Sequence, residues 1–305
     1  MREFVDGMEE GTVRPKNRER YKPATVRGYD QHLRLRIAPS RLGSMKVTEV
    51  QRSDVQALVD GLLADGLSAA TVNNILNPIQ GFYRRAQDRG EAAHNPTERI
   101  DSPSSASQRP KRIASGAEAA QLLESLQTAD RPIWATAFYA GLRRGELQAL
   151  RCCDLDLSGS MIRVERSWDQ YEGPIAPKSQ AGRRTVPLLA VLRDYLDEHV
   201  LRTGRGGEEL LFGRSATEPF VSSTIDNRAQ ECWEAVGLEA ITLHECRHTF
   251  ASLLIDAGAN PKAIQTFMGH SKIQTTFDTY GHLLPGSHDE VRERMDAYLS
   301  TENNA

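Results

Sequence analysis

The chain has 305 residues, 39% of them hydrophobic and 26% charged, and a formal net charge of −3; that is room for two cores in an ordinary globular composition. No apolar run approaches the roughly 18–20 residues a membrane span needs, and the opening MREFVDGMEEGTVRPKNRER lacks a signal peptide's apolar stretch. Cys152, Cys153, Cys232 and Cys246 form no C-x-x-C pair and suit reduced thiols, so a cytoplasmic location is expected.

The charge is unevenly spread. Residues 1–112 carry 19 Lys and Arg against 14 Asp and Glu, whereas residues 113–305 carry 19 against 27. Within residues 14–52 there are 11 basic and 3 acidic side chains. A basic front half suits phosphate binding, and it equally suits a solvated basic helix face.

In chain order, residues 1–19 are expected to be a tail. Thr25 is expected to cap a helix with the apolar face Val26, Tyr29, Leu33 and Ile37. Ser53 is expected to cap a second, carrying Val55, Leu58, Val59 and Leu62 and ended by Gly66. Ser68 opens a third with Val72, Ile75, Leu76, Ile79, Phe82 and Ala86, bent at Pro78 and stopped by Gly90. Together they predict a small helical bundle over 20–100. DSPSSASQRPKR, residues 101–112, has little to bury and is expected to link this bundle to a second domain at 113–305. Ser115 and Glu118 form a capping box at its start. Residues 160–188 are strand-like, with the turn SQAG between two pieces, and helices resume near 189 with a short strand candidate at ELLFG. The fold class expected is mainly α, with an α+β second domain holding a small antiparallel sheet.

TLHECRHTF, residues 242–250, has two chemical readings. As H-e-x-x-H, His244 and His248 would hold zinc and Glu245 would activate water. But Thr242 and Glu245 also fit a capping box, which would occupy Glu245 with backbone N–H groups. A helix N-terminus and the neighbouring Arg247 disfavour a dication, and no third ligand stands at a protease spacing. As H-x-x-R, His244 and Arg247 share one helical face near a helix N-terminus, a geometry that suits an anion. The charge growing on a phosphodiester in its transition state is best met by two guanidinium forks. Further candidates are Arg143, Arg144 and Glu146 in YAGLRRGELQAL, the Lys of APKSQAGRRTVPL, and His270 followed by Tyr280 in MGHSKIQTTFDTYGH.

These segments, in this order, resemble the tyrosine recombinase family, the phage integrases and Xer-like site-specific recombinases. AGLRRGE matches the family's TGLR-x-x-E, HECRHTFA its H-x-x-R-H-T-F-A, and MGHSKIQTTFDTY its L-G-H-S with a following Tyr; the resemblance spans about residues 20–285. It implies a helical, SAM-like core-binding domain and a mostly helical catalytic domain that close around duplex DNA. It implies that Arg143 and Arg247 grip the scissile phosphate, with Glu146 orienting Arg143. By the same resemblance, Lys178 would protonate the leaving 5′ oxygen, and His244 would bond the phosphate and handle the nucleophile's proton. His270 would hold the phosphate oxygens, and Tyr280 would attack to leave a 3′-phosphotyrosine. His248 is expected to be a supporting residue.

The front domain's Arg27, Arg34, Arg36, Lys46, Arg84 and Arg85 are the expected DNA contacts. Four protomers on paired duplex sites are expected, with accessory DNA-bending or directionality proteins as further partners. No metal, cofactor or membrane partner is expected. Only about 20 residues precede the core-binding helices, so a complete arm-site-binding domain is not expected in this chain. The rival readings are DNA relaxation like that of a type IB topoisomerase, a DNA-binding regulator without catalysis, and the zinc protease. The C-terminal HDEVRERMDAYLS is expected to be a helix that docks on a neighbouring protomer or on its own domain.

Overall fold

The computed structural model describes residues 1–15, 19–104, 112–177, 179–283, 292 and 295–296. Two units emerge, Met1–Pro110 and Lys111–Ala305. Among the described residues no helix is long and apolar enough to cross a membrane. Lys178, most of the linker and nearly all of HDEVRERMDAYLS, the segment expected to be a C-terminal helix, lie outside the described residues.

The first unit is built on α1 (Arg2–Glu10), α2 (Pro23–His32), α3 (Arg52–Ala64) and α4 (Ala69–Asp88). The first of these corrects the reading of residues 1–19 as a tail: α1 buries Phe4, Val5 and Met8 in the same core as Val55, Val59, Val72 and Ile75. Helix α2 is opened by Pro23, not capped by Thr25, and passes into a π-helical turn at Leu33–Ile37. That turn still delivers the apolar face read from the sequence, since Val26, Leu33 and Ile37 are buried.

Helix α3 begins on Gln51 instead of Ser53. The Gln51 N–H donates to the Asp54 carboxylate (2.9 Å), a cap that Ser53, already the second residue inside the helix, stands too late to make. Ser68 does cap α4, accepting from the Thr71 N–H at 3.2 Å. Pro78 sits buried inside this continuous 20-residue helix, so the core keeps it despite the lost backbone donor.

The second unit has α5 (Gly116–Ser125), α6 (Arg131–Ala140), α7 (Arg144–Ala149), α8 (Ala190–Thr203), α9 (Ser222–Ala235), α10 (Leu243–Asp256), α11 (Pro261–Met268) and α12 (Ile273–Tyr280). Helix α6 is apolar almost all round, with Ile133, Trp134, Ala135, Ala137, Phe138 and Ala140 buried. It is therefore the hub, packed against α5, α7, α8 and α10. Strands β1 (Leu155–Asp156), β2 (Met161–Val164) and β5 (Arg184–Pro187) form an antiparallel sheet in the order β1-β2-β5. Strands β3 (Ser167–Asp169) and β4 (Gly173–Ile175) form a separate hairpin.

The two strand pieces flanking SQAG thus belong to different sheets. Gln180–Gly182 is a short 3-10 turn between them, and it steers the chain so that Ile162 meets Val186 and Val164 meets Arg184. ELLFG contributes only two isolated bridges, Leu210 with Arg151 and Gly213 with Pro219. The Ser115 hydroxyl caps α5 by accepting from the Glu118 N–H (3.2 Å), while the Glu118 carboxylate accepts from Arg112 (2.5 Å).

Candidate active site

Gly141 ends α6 in the left-handed region (φ 62°), and a Cβ there would lie 2.3 Å from the Phe250 ring. The turn this permits puts Arg143 at the mouth of α7, one turn from Glu146. The Glu146 carboxylate accepts from the Arg143 N–H (2.8 Å) and from Arg143 Nη1 (2.8 Å). Arg143 Nη2 reaches the carbonyls of Met268 (3.3 Å) and Gly269 (3.2 Å) at the end of α11.

A third participant stands behind this pair. Arg184, on β5, donates to both Glu146 oxygens, through Nη1 at 3.0 Å and Nη2 at 2.9 Å. Burial pushes the Glu146 carboxyl up. The hydrogen bonds and charge of Arg184, with the charges of Arg143 and Arg247, outweigh it and hold the pKa down to about 2. Glu146 is thus an anion set among guanidinium groups, and losing one side of such a buried pair costs about 3–5 kcal/mol. In the sequence Arg184 is simply the second of two adjacent arginines in APKSQAGRRTVPL. A signal was there to be seen: β2 and β5 alternate, and the alternation turns Arg184 to the same buried side as Val186.

Helix α10 supplies the second half of the site. Thr242 and Glu245 form the capping box: Glu245 N–H donates to the Thr242 hydroxyl (3.2 Å) and Thr242 N–H to the Glu245 carboxylate (2.9 Å). Glu245 is therefore engaged with its own helix start, against the zinc reading. Among the described residues no group of three or more His, Cys, Asp or Glu is arranged to hold a metal ion. Arg247, buried at 2% exposure, donates to the carbonyls of Gly141 and Met268. Burial, then the charge of Arg143, pulls its pKa down to about 9, with Glu146 opposing. Arg143 and Arg247 thus meet at one backbone oxygen, that of Met268.

Asn260 caps α11 (Ala263 N–H to its side-chain oxygen, 2.9 Å) and left-handed Gly269 ends it. His270 follows, held by Thr276 through its Nδ1 at 2.9 Å. Tyr280 is the last residue of α12 and is 1% exposed, with its ring stacked on that of His270 at a centroid distance of 6.4 Å. Its hydroxyl is hydrogen-bonded to His248 Nδ1 at 2.6 Å. The ring of His244 lies edge-on to that of His248, with centroids 4.7 Å apart. The sequence reading gave the tyrosine's proton to His244; the residue at the hydroxyl is His248. Burial pushes the Tyr280 phenol up to about 12, with Arg247 and Arg143 acting to lower it.

The structure therefore brings together Arg143, Glu146, His244, Arg247, His248, His270 and Tyr280. Arg144 points outward. In the first unit, Arg34 is exposed and paired with Asp30 (2.9 Å), and Lys46 is exposed and paired with Glu49 (3.3 Å). Arg36 is exposed, Arg27 is half-buried on α2, and Arg84 and Arg85 lie close enough to the Tyr21 phenol to lower its pKa against a larger upward effect of burial.

Comparison with known proteins follows the same residues. The sequence profile of the phage integrase family matches residues 111–286, more than half of the chain. A tyrosine recombinase XerC-like protein of Caldanaerobacter subterraneus subsp. tengcongensis is 28% identical over 307 residues, covering 90% of this chain and 78% of that one. Prophage integrase IntR of Escherichia coli K12 is 29% identical over 258 residues, covering 77% of this chain and 62% of IntR. Among solved structures, the Tn1549 transposon integrase in complex with a circular intermediate DNA superposes with a TM-score of 0.76 at 25% identity, covering 97% of this chain and 99% of that one. Lambda integrase, solved as a tetramer bound to a Holliday junction, shares the fold at a TM-score of 0.65 and 19% identity, covering 92% and 78%. A profile that spans both arginine motifs and the tyrosine, on a fold common to these proteins, places the chain in the phage integrase family, among the tyrosine recombinases.

Proposed function

We propose that this chain is a site-specific recombinase that cuts and rejoins duplex DNA through a 3′-phosphotyrosine, and so integrates or excises a mobile element. The observation that carries this reading is the meeting of Arg143 and Arg247 at the Met268 carbonyl, with the Tyr280 phenol in the field of both. Two guanidinium groups beside one nucleophile suit a phosphodiester, whose non-bridging oxygens gain negative charge as a fifth bond forms. His270, stacked on the tyrosine, is within reach of the same oxygens.

In the proposed reaction the Tyr280 oxygen bonds to phosphorus as the P–O5′ bond breaks. A phenol held near 12 is protonated at neutral pH, so attack requires an acceptor for its proton. His248 is hydrogen-bonded to it, and His244 stands next in line. Lys178 gives a proton to the 5′ oxygen, which leaves as a hydroxyl. The phosphodiester's energy stays in the Tyr280–phosphate bond, so a second 5′-hydroxyl reverses each step and joins a new strand. The basic side chains of the first unit, Arg27, Arg34, Arg36, Lys46, Arg84 and Arg85, bind the DNA backbone around the cut. Four protomers act on two duplexes in the cytoplasm, at the nucleoid.

A nicked suicide duplex that loses its 5′ fragment tests the reading. Wild-type protein is expected to accumulate a covalent protein–DNA adduct, and Tyr280→Phe to bind the duplex yet form none. An adduct that survives Tyr280→Phe would overturn the assignment. Relaxation of supercoiled DNA without any attachment site, by monomeric protein, would identify a topoisomerase instead.

A further inference from the structure

We propose that Arg184 is a positioning residue of this active site: by clamping Glu146 from behind, it fixes the direction in which Arg143 presents its guanidinium to the phosphate. The inference rests on the phosphotyrosine reading, which the wild-type adduct tests separately.

Arg184 itself is enclosed by the protein. Its side chain is 2% exposed, and its three nitrogens are occupied within the protein: Nη1 and Nη2 by Glu146, Nε by the Phe267 carbonyl (2.6 Å), with Nη1 also on the Gly182 carbonyl (3.1 Å). Arg143, by contrast, keeps 41% of its side chain exposed. Each Glu146 oxygen is shared between the two arginines. Oε1 accepts from Arg143 Nη1 and Arg184 Nη1, and Oε2 from the Arg143 backbone N–H and Arg184 Nη2. One carboxylate thus sets both the backbone and the fork of Arg143, and Arg184 sets the carboxylate.

The second anchor of Arg143 is tied to the same residue. Phe267, whose carbonyl takes Arg184 Nε, immediately precedes Met268, whose carbonyl takes both Arg143 and Arg247. The fit leaves no slack. A Cβ on left-handed Gly269 would lie 2.9 Å from the Ala181 carbonyl and 3.1 Å from Arg184 Nη1.

The charged groups facing Glu146 are Arg143 from the start of α7, Arg184 from β5 and Arg247 from α10. Arg184 is the strongest of these in holding the carboxyl down against burial. Without it, the two largest effects opposing burial are lost, so the carboxyl should rise toward the range of ordinary assays, and a protonated Glu146 presents an O–H where Arg143 needs an acceptor.

The test is the single-turnover rate of adduct formation on the nicked duplex with protein in excess, followed from about pH 5 to 8, where wild-type Glu146 stays ionised. Arg184→Gln is expected to slow the step by about 100-fold at neutral pH, the scale of a misaimed catalytic group. It should retain duplex binding and a cooperative melt. Its rate should also acquire an acid limb beyond any that the histidines give wild type, its ratio to wild type falling further as the pH drops and Glu146 is protonated. Glu146→Gln, with nothing to titrate, should be slow without that limb. Arg184→Lys keeps a charge and loses the fork, so its limb should lie between those of Arg184→Gln and wild type. A role as a mere staple between β5 and α11 predicts a loss by one factor at every pH. That result, or an unchanged rate in Arg184→Gln, would overturn the inference. Should Arg184→Gln fail to fold, the Arg184→Lys profile decides alone: a profile parallel to wild type overturns it.

Discussion

In the second unit, Arg184 and Arg247 are buried and donate to a carboxylate and to backbone carbonyls, so their positions are set before any ligand arrives. In the first unit, Arg34 and Lys46 are exposed, and each is paired with an acid on its own stretch of chain, Asp30 and Glu49. Exposed pairs of that kind contribute about 0–1 kcal/mol and weaken with salt. The contrast separates two tasks. Catalysis needs a guanidinium fixed in direction, whereas holding a DNA backbone needs positive charge that can exchange an acid for a phosphate.

The largest effect is expected at Arg247. Arg247→Gln removes a fixed cation and leaves the Gly141 and Met268 carbonyls short of donors. Adduct formation should fall by about 1,000-fold. Chemical denaturation should also show a loss of about 2–4 kcal/mol. A stable variant with normal cleavage would erase the distinction between the two kinds of cation.

Next comes acid stability. Glu146 titrates near 2 in the fold against 4.5 ordinarily, so its ionised form stabilises the protein at every pH above about 4.5. That contribution, about 3 kcal/mol, is lost as the pH falls from there toward 2. Urea unfolding at stepped pH should show the decline in wild type and a shallower one in Glu146→Gln; parallel curves would contradict it.

Gly141→Ala should be milder toward cleavage, because it leaves the charges in place. A side chain at φ 62° that meets Phe250 at 2.3 Å should cost about 2–4 kcal/mol of stability and displace Arg143. The check is thermal unfolding beside the cleavage rate.

The smallest effect is expected in the first unit. Arg84→Ala should weaken duplex binding modestly and reduce the slope of log affinity against log salt by about 1, with no dependence on sequence. A sequence-selective loss would show that Arg84 reads bases, and would blur the comparison from the other side.

Much of this was legible in the chain because the informative signals are local. Ser68, Ser115 and Thr242 cap the helices their side chains suggest, and the apolar periodicity of α4 is the buried face observed. The arginine, histidine and tyrosine motifs are short enough to be recognised without knowing how they meet. What escaped depends on distant contact. Helix α1 has no side-chain cap and only nine residues, so its apolar face gains meaning only from the core that accepts it. Arg184 differs from Arg183 only in which side of β5 it faces, and its importance comes from a carboxylate 38 positions away. His244 and His248 share one helical face, and which of them meets Tyr280 is decided by where α12 lies. Nothing in the strand pieces around SQAG tells that they belong to different sheets, because alternation reveals a strand but not its partner.

The most direct test of the central claim, that Tyr280 is the atom source of the protein–DNA bond, is to locate that bond chemically. The trapped wild-type adduct would be digested with nuclease and trypsin and its nucleotide-bearing peptide sequenced by mass spectrometry. Cleavage after Lys272 and Arg292 releases a peptide in which Tyr280 is the one tyrosine. The account predicts the remnant phosphate on that residue; a remnant on any other side chain would contradict it.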